Sequence, residues 1–216
     1  FNVIADVNKG DNWSTEVKDE TASYSSTNNI WQTTATHYWP GAGSTADFYA
    51  YYPTSISGSI THTTGSTPAL SYTVPDNTVD QIDILASTKT DVAGDSYSQT
   101  PVDFKHIFAA VQFSVGSSGL PSGTITKVTL NNIQYKGTYS LNGTWTPNTT
   151  DKKSFSQAVS VPTSAGTTIT SGAAIFMMMP QTLSGDASIT VTYSNGGALT
   201  KAVTGTWEAG KVYTYN

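Results

Sequence analysis

Cysteine is absent from all 216 residues, so neither a disulfide framework nor a thiolate metal site can be built. Arginine is absent as well, and every permanently basic side chain is lysine, which removes the planar fork that grips carboxylates and phosphates bidentately. Charge of either sign is scarce. It makes up 12% of residues, about half of what globular proteins usually carry, and it leans acidic, with a net charge of −5 and a pI near 4.9. Such a chain repels phosphate backbones and anionic lipid surfaces, so nucleic-acid and membrane-surface partners are disfavoured. Long apolar runs are missing too. The longest, around residues 107–111 and 173–179, fall far short of the ~20 residues that span a bilayer, so no transmembrane segment is expected. The opening FNVIADV lacks the basic-then-apolar order of a signal peptide, and any targeting segment is expected to have been removed already.

What remains is core-forming material. Hydrophobic residues make up 37% of the chain and aromatics 11%, which argues against disorder. The patterning is almost wholly β. SITVTY at 188–193 puts Ile189, Val191 and Tyr193 on one face and hydroxyls on the other, and ALSYTV at 69–74 does the same with Leu70, Tyr72 and Val74. Turn clusters separate such runs at 116–119, 142–143, 151–152, 184–186 and 195–197; the last, Asn-Gly-Gly, suits a hairpin because these residues tolerate positive φ. FKHIFAAVQFSV at 104–115 satisfies two periods at once. Phe104, Ile107, Phe108, Val111 and Val115 fit a helix, whereas Ile107, Ala109, Val111, Phe113 and Val115 form a period-2 stripe rich in β-branched and aromatic residues. A strand is expected, with a bulge near Ile107 where the apolar face changes parity. The polar stretch DVAGDSYSQTP at 91–101 reads as a linker, dividing the chain into β domains at 1–99 and 100–216 of ordinary domain size.

Catalytic motifs are sparse. His37, His62 and His106 are far apart, with no HxH or HExxH arrangement, and no GxSxG elbow is present. His106 falls in the most hydrophobic strand, where a satisfied core or interface histidine is expected. No catalytic residue and no cofactor-binding residue is assigned, and an enzyme is not expected. Asp76, Asn77, Asp80 and Asp83 offer oxygen ligands of the kind calcium favours, but their spacing fails the EF-hand pattern. A turn after the VP strand, with Asp and Asn capping backbone amides, is the preferred reading, so no metal residue is assigned. Five tryptophans, Trp13, Trp31, Trp39, Trp145 and Trp207, could stack on sugars. Trp39 and Trp207 adjoin strand-like runs and read as core bulk or an interdomain contact, and Trp145 in NGTWTPN reads as the most exposed. Asn-x-Ser/Thr sequons begin at Asn12, Asn142 and Asn148.

A set of aromatic and proline-punctuated phrases recurs along this body: HYWP at 37–40, FYAYYP at 48–53, VPDN at 74–77, VDFKHIFAAVQFSV at 102–115, MMMPQTL at 177–183 and WEAGKVYTY at 207–215. Their order and spacing resemble the fimbrillin-like family, the pilin subunits of some anaerobic Gram-negative bacteria, over nearly the whole chain. The resemblance implies an all-β protein of two tandem transthyretin-like, Greek-key β-sandwiches, with three phrases in each, and a structural or accessory subunit of a cell-surface fimbria that supports adhesion. Members carry a lipoprotein signal and a first strand ahead of the position matching Phe1, so the resemblance also implies an outer-membrane-attached precursor. A sandwich lacking a strand invites addition of one from another chain, and other pilin subunits are the implied partners. No cofactor is implied. The alternative is a cell-surface carbohydrate-binding β-sandwich whose partners are host or bacterial surface glycans or proteins.

Overall fold

Strand after strand follows the period-2 patterns of the sequence, and among the described residues helix is confined to three short 3-10 turns. The computed structural model describes residues 1–118, 121–183 and 185–216. Its strands are β1 (Asn2–Lys9), β2 (Asn12–Ser25), β3 (Ile30–Thr33), β4 (Ser44–Tyr52), β5 (Ile60–Thr61), β6 (Ala69–Thr73), β7 (Leu85–Ala93) and β8 (Lys105–His106). They continue as β9 (Ala109–Phe113), β10 (Thr124–Gln134), β11 (Lys136–Ser140), β12 (Thr144–Pro147), β13 (Lys152–Pro162), β14 (Phe176–Met178) and β15 (Gln181–Leu183). The last four are β16 (Ser188–Tyr193), β17 (Ala198–Ala202), β18 (Gly205–Trp207) and β19 (Val212–Tyr215). The all-β class holds. Two compact units emerge, one built of residues 1–72, 84–106 and 138–145, the other of 73–83, 107–137 and 146–216. The stretch expected as a linker therefore lies inside the first unit, from the end of β7 through Pro101.

In the first unit a six-stranded sheet runs β3-β2-β1-β4-β7-β8. β1 lies antiparallel to β4 in unbroken register from Asn2↔Tyr51 to Lys9↔Ser44. One face carries Ile4, Asp6, Tyr49, Tyr51 and Ala86, all buried, and meets the segments around residues 56–70 and 138–141, where Ile56, Leu70, Tyr139 and Leu141 are also buried. The link is main-chain as well as apolar, since Leu141 N–H donates to the Pro68 carbonyl at 2.9 Å. Gly65, in the loop before β6, has φ +76, and a Cβ there would lie 2.7 Å from the Trp13 ring, so only glycine fits the turn.

The second unit pairs β13-β10-β16-β17 in one sheet, β14-β9-β19 in another and β15-β18 in a ribbon. β19 returns parallel to β9, from Val212↔Ala110 to Tyr215↔Phe113. Its core is made by Val111, Phe113, Ile125, Val128, Leu130, Ile133, Phe155, Phe176, Met178, Met179 and Trp207, each at most 3% exposed. Burying Gln181 costs little because both ends of its amide are used: Nε2 donates to the Gln134 and Met179 carbonyls, and Oε1 accepts from Gln134 N–H at 3.0 Å. FKHIFAAVQFSV is strand rather than helix, in two pieces, β8 and β9, broken at Ile107–Phe108 where the parity change was expected. SITVTY is β16, and Asn195–Gly197 turns it into β17, with Gly196 at φ +84 and Tyr193 N–H bonded to the Gly197 carbonyl at 2.8 Å. The expected turns at 116–119 and 184–186 rest partly on Gly119 and Ser184, which lie outside the described residues.

Candidate interaction surface

FNVIADV gathers Phe1, Val3, Ala5 and Val7 at one parity, an apolar stripe that needs cover, while the other parity carries Ile4 between Asn2 and Asp6. The face of the six-stranded sheet opposite Ile4 and Tyr51 presents Val3, Ala5 and Val7 from β1 and Ala46 and Phe48 from β4, in register as Ala5↔Phe48 and Val7↔Ala46. β2 adds Val17 and Ala22. Five residues apart, these two would normally point opposite ways. They share a face because β2 carries an extra residue between the pairs Val3↔Glu20 and Ala5↔Val17, a bulge at whose site Asp19 adopts φ +54.

This apolar floor is only partly covered. Residues 31–40 and 99–104 lie over it and leave a trough of three cavities of about 200, 470 and 450 Å³. The first is bounded by His37, Tyr38, Trp39 and Pro40, with the Trp39 ring edge-on to Phe48 at 6.1 Å. The second runs between Val3, Val17, Ala22 and Phe48 below and Trp31 to His37 above. The third opens at Phe1, Trp31 and Phe104. His37 clasps the covering loop to β2, its Nε2 3.1 Å from Glu20 Oε1 and its Nδ1 3.8 Å from Glu16 Oε1.

On the reverse face, the bulge aims the Asp19 carboxylate inward, where it accepts from the hydroxyls of Tyr51 and Ser57 and from Asn2 Nδ2 at 3.1 Å. Burial, reinforced by that carboxylate, pushes the Tyr51 phenol up to about 12. Burial likewise raises Tyr49 and Tyr139. Asp6, 1% exposed, accepts at one oxygen from Gly65 N–H and meets His62 Nε2 there, both at 2.8 Å.

Solved structures share this architecture. A candidate cell adhesion protein of Bacteroides uniformis superposes with a TM-score of 0.64 at 18% identity, over 99% of this chain and 84% of that one. Another, of Bacteroides ovatus, gives 0.63 at 19% identity, over 100% of this chain and 80% of that one. At these identities the likeness establishes the fold. The sequence model of the fimbrillin-like family matches residues 1–216, the entire chain. The chain belongs to the fimbrillin-like family. Among curated proteins none matches it.

In this fimbrillin-like chain the residues singled out from sequence are scattered. His62 sits behind the floor on Asp6 and His37 over the trough, while His106 is exposed on β8. Of the core or interface placement expected for His106, the core one fails, because the buried run begins one residue later, at Ile107. Trp207 is core, 1% exposed, with its indole N–H donating to the Tyr215 hydroxyl at 3.0 Å; Trp39 is half-buried. Trp145 is not the most exposed tryptophan: it is half-buried against Tyr139 at 5.2 Å, whereas Trp31 is 57% exposed and Trp13 40%. Asp76 pairs with Lys153, Asp80 accepts from Asn77 at 3.2 Å, and among the described residues no cluster of three or more His, Asp or Glu side chains could hold a metal ion. Of the sequon asparagines, Asn12 and Asn142 are exposed, and Asn148 folds back to accept from the N–H groups of Thr150 and Asp151. The family resemblance implied a sandwich open to an added strand, but sequence reasoning assigned no residues to the trough. Its signal was the stripe of Phe1, Val3, Ala5 and Val7 in FNVIADV, but the bulge that completes the floor has no motif.

Proposed function

We propose that the chain is a structural or accessory subunit of a cell-surface fimbria that assembles by strand complementation, with the trough of the first unit receiving an extended apolar segment of a neighbouring subunit. The observation that carries this reading is the floor of Val3, Ala5, Val17, Ala22 and Phe48, covered by β3 with the loop that follows it and by the segment 99–104. An apolar-floored trough beside a strand edge matches what strand addition requires: pockets for alternate side chains and backbone groups to pair. The short edge strand β3 supplies the latter. Membership of the fimbrillin-like family supports pilin subunits as the partners and the cell surface as the location, and the same resemblance supports a lipid-anchored, outer-membrane precursor. A role without chemistry also accords with the scattered histidines.

Val3 is half-buried on the trough floor, so Val3→Glu places a charge in the channel without opening the sandwich core behind it. The purified variant is expected to keep its circular dichroism and its melting temperature within a few degrees, while its incorporation into fibres on the cell falls at least tenfold. Normal incorporation of a stably folded Val3→Glu subunit would overturn the proposal.

A further inference from the structure

Large aromatic side chains left in water are uncommon unless something covers them. The mouth of the third cavity gathers several. Trp31 is 57% exposed and Tyr24 52%, yet neither is loose. The Trp31 ring packs on Phe1 at 5.2 Å and on Tyr24 at 5.7 Å, and Phe1 meets Phe104 edge-on at 5.1 Å. Tyr24 is tied down in turn by its hydroxyl, which donates to Asn29 Oδ1 at 2.5 Å. Asn29 is fixed in the left-handed region at φ +54, a conformation asparagine tolerates. The result is a preorganised aromatic platform whose ordering cost has been met in the fold rather than at binding.

The rest of the lining defines the ligand. Beside the aromatic rings stand the carboxamides of Asn29 and Gln99 and the hydroxyl of Thr100, and no lysine, aspartate, glutamate or histidine side chain lines the cavity. Amides and hydroxyls both donate and accept, as sugar hydroxyls do, while the apolar face of a pyranose ring stacks flat on indole. A volume of about 450 Å³ lies in the range of small-ligand sites. With no cationic side chain in the lining to receive a carboxylate or sulfate, acidic sugars gain no side-chain ion pair here. Apolar side chains, for their part, would leave the amide rim unpaired.

We infer that the platform of Trp31, Tyr24 and Phe1, rimmed by Asn29, Gln99 and Thr100, is a binding site for a neutral pyranose unit of a surface glycan. It would provide adhesion in addition to assembly and does not depend on the trough being filled by another subunit.

The test is an array of neutral hexose and N-acetylhexosamine oligosaccharides with their sialylated and sulfated counterparts, probed with the whole chain and followed by titration of tryptophan fluorescence. Saturable binding to one or more neutral glycans is expected, weakened about tenfold or more by Trp31→Ala and several-fold by Gln99→Ala with Thr100→Ala, and unchanged by Trp13→Ala. Circular dichroism of each variant separates loss of the site from loss of fold, and the double variant on the exposed 99–100 segment tests the site should Trp31→Ala unfold. The proposal is overturned if no neutral glycan binds, if only acidic glycans bind, or if binding survives Trp31→Ala in a folded protein. Fibre incorporation of the Trp31→Ala subunit is read separately, so failure of this site and failure of the assembly reading are distinguished.

Discussion

Tyr51 is 1% exposed, and the group nearest its hydroxyl is the Asp19 carboxylate. Burial disfavours the phenolate, and a carboxylate accepting the hydroxyl proton disfavours it further, so the folded-state pKa rises from 10.0 to about 12. An acid that holds its proton more firmly folded than unfolded contributes stability that is complete below the unfolded value. That contribution is lost as pH climbs from 10 through about 12. Urea unfolding at steps between pH 8 and the alkaline limit is therefore expected to show wild type losing stability faster than Tyr51→Phe, which has no proton to lose. A residual slope in the variant belongs partly to Tyr49 and Tyr139, both also raised by burial. Parallel curves for the two proteins would show that the phenol is not held as the geometry indicates.

β2 shows what one element decides for the molecule. Asp19 occupies the left-handed region at φ +54, and the residue inserted there lets Val17 and Ala22 face the trough while the carboxylate faces inward to Asn2, Tyr51 and Ser57. Asn tolerates that backbone and Val does not. Asp19→Asn is expected to cost about 1 kcal/mol and Asp19→Val about 3 kcal/mol or more, from backbone strain plus the lost charge-assisted hydrogen bonds, in equilibrium denaturation. Equal losses for the two would mean that φ at this position is not decisive. The same element marks the limit of what the sequence revealed. Strands with clean alternation, such as β16, were legible together with their turn, because period and glycine placement are local properties. A bulge that reverses parity is fixed by pairing with another strand, so DETASY, the stretch around Asp19, announces nothing. The misplaced His106 and Trp145 have a similar origin: the stripe's start and the packing of Trp145 on Tyr139 depend on neighbours far along the chain.

For the whole molecule, composition suggested a single passage between domains near residue 100, whereas the chain passes between its two units at 72/73, 83/84, 106/107, 137/138 and 145/146. The first unit depends on residues 138–145, which bury Tyr139 and Leu141 against its core. They also close its backbone, with Leu141 N–H on the Pro68 carbonyl at 2.9 Å and the Thr88 hydroxyl on the Leu141 carbonyl. A fragment of residues 1–99 lacks all of this. It would expose Leu70 and Ile56, now 1% and 6% exposed, and leave strand β6 without its neighbour β11. Losing two large buried side chains costs about 4 kcal/mol or more, comparable to the entire stability of a small domain. Fragment 1–99 is therefore expected to lack a cooperative thermal transition by circular dichroism. Mixing it with a separately expressed 100–216 fragment is expected to restore one, because the missing strands arrive with that partner. A sharp, reversible melt of fragment 1–99 alone would instead place an independently folding domain at the compositional boundary and make the contribution of residues 138–145 incidental.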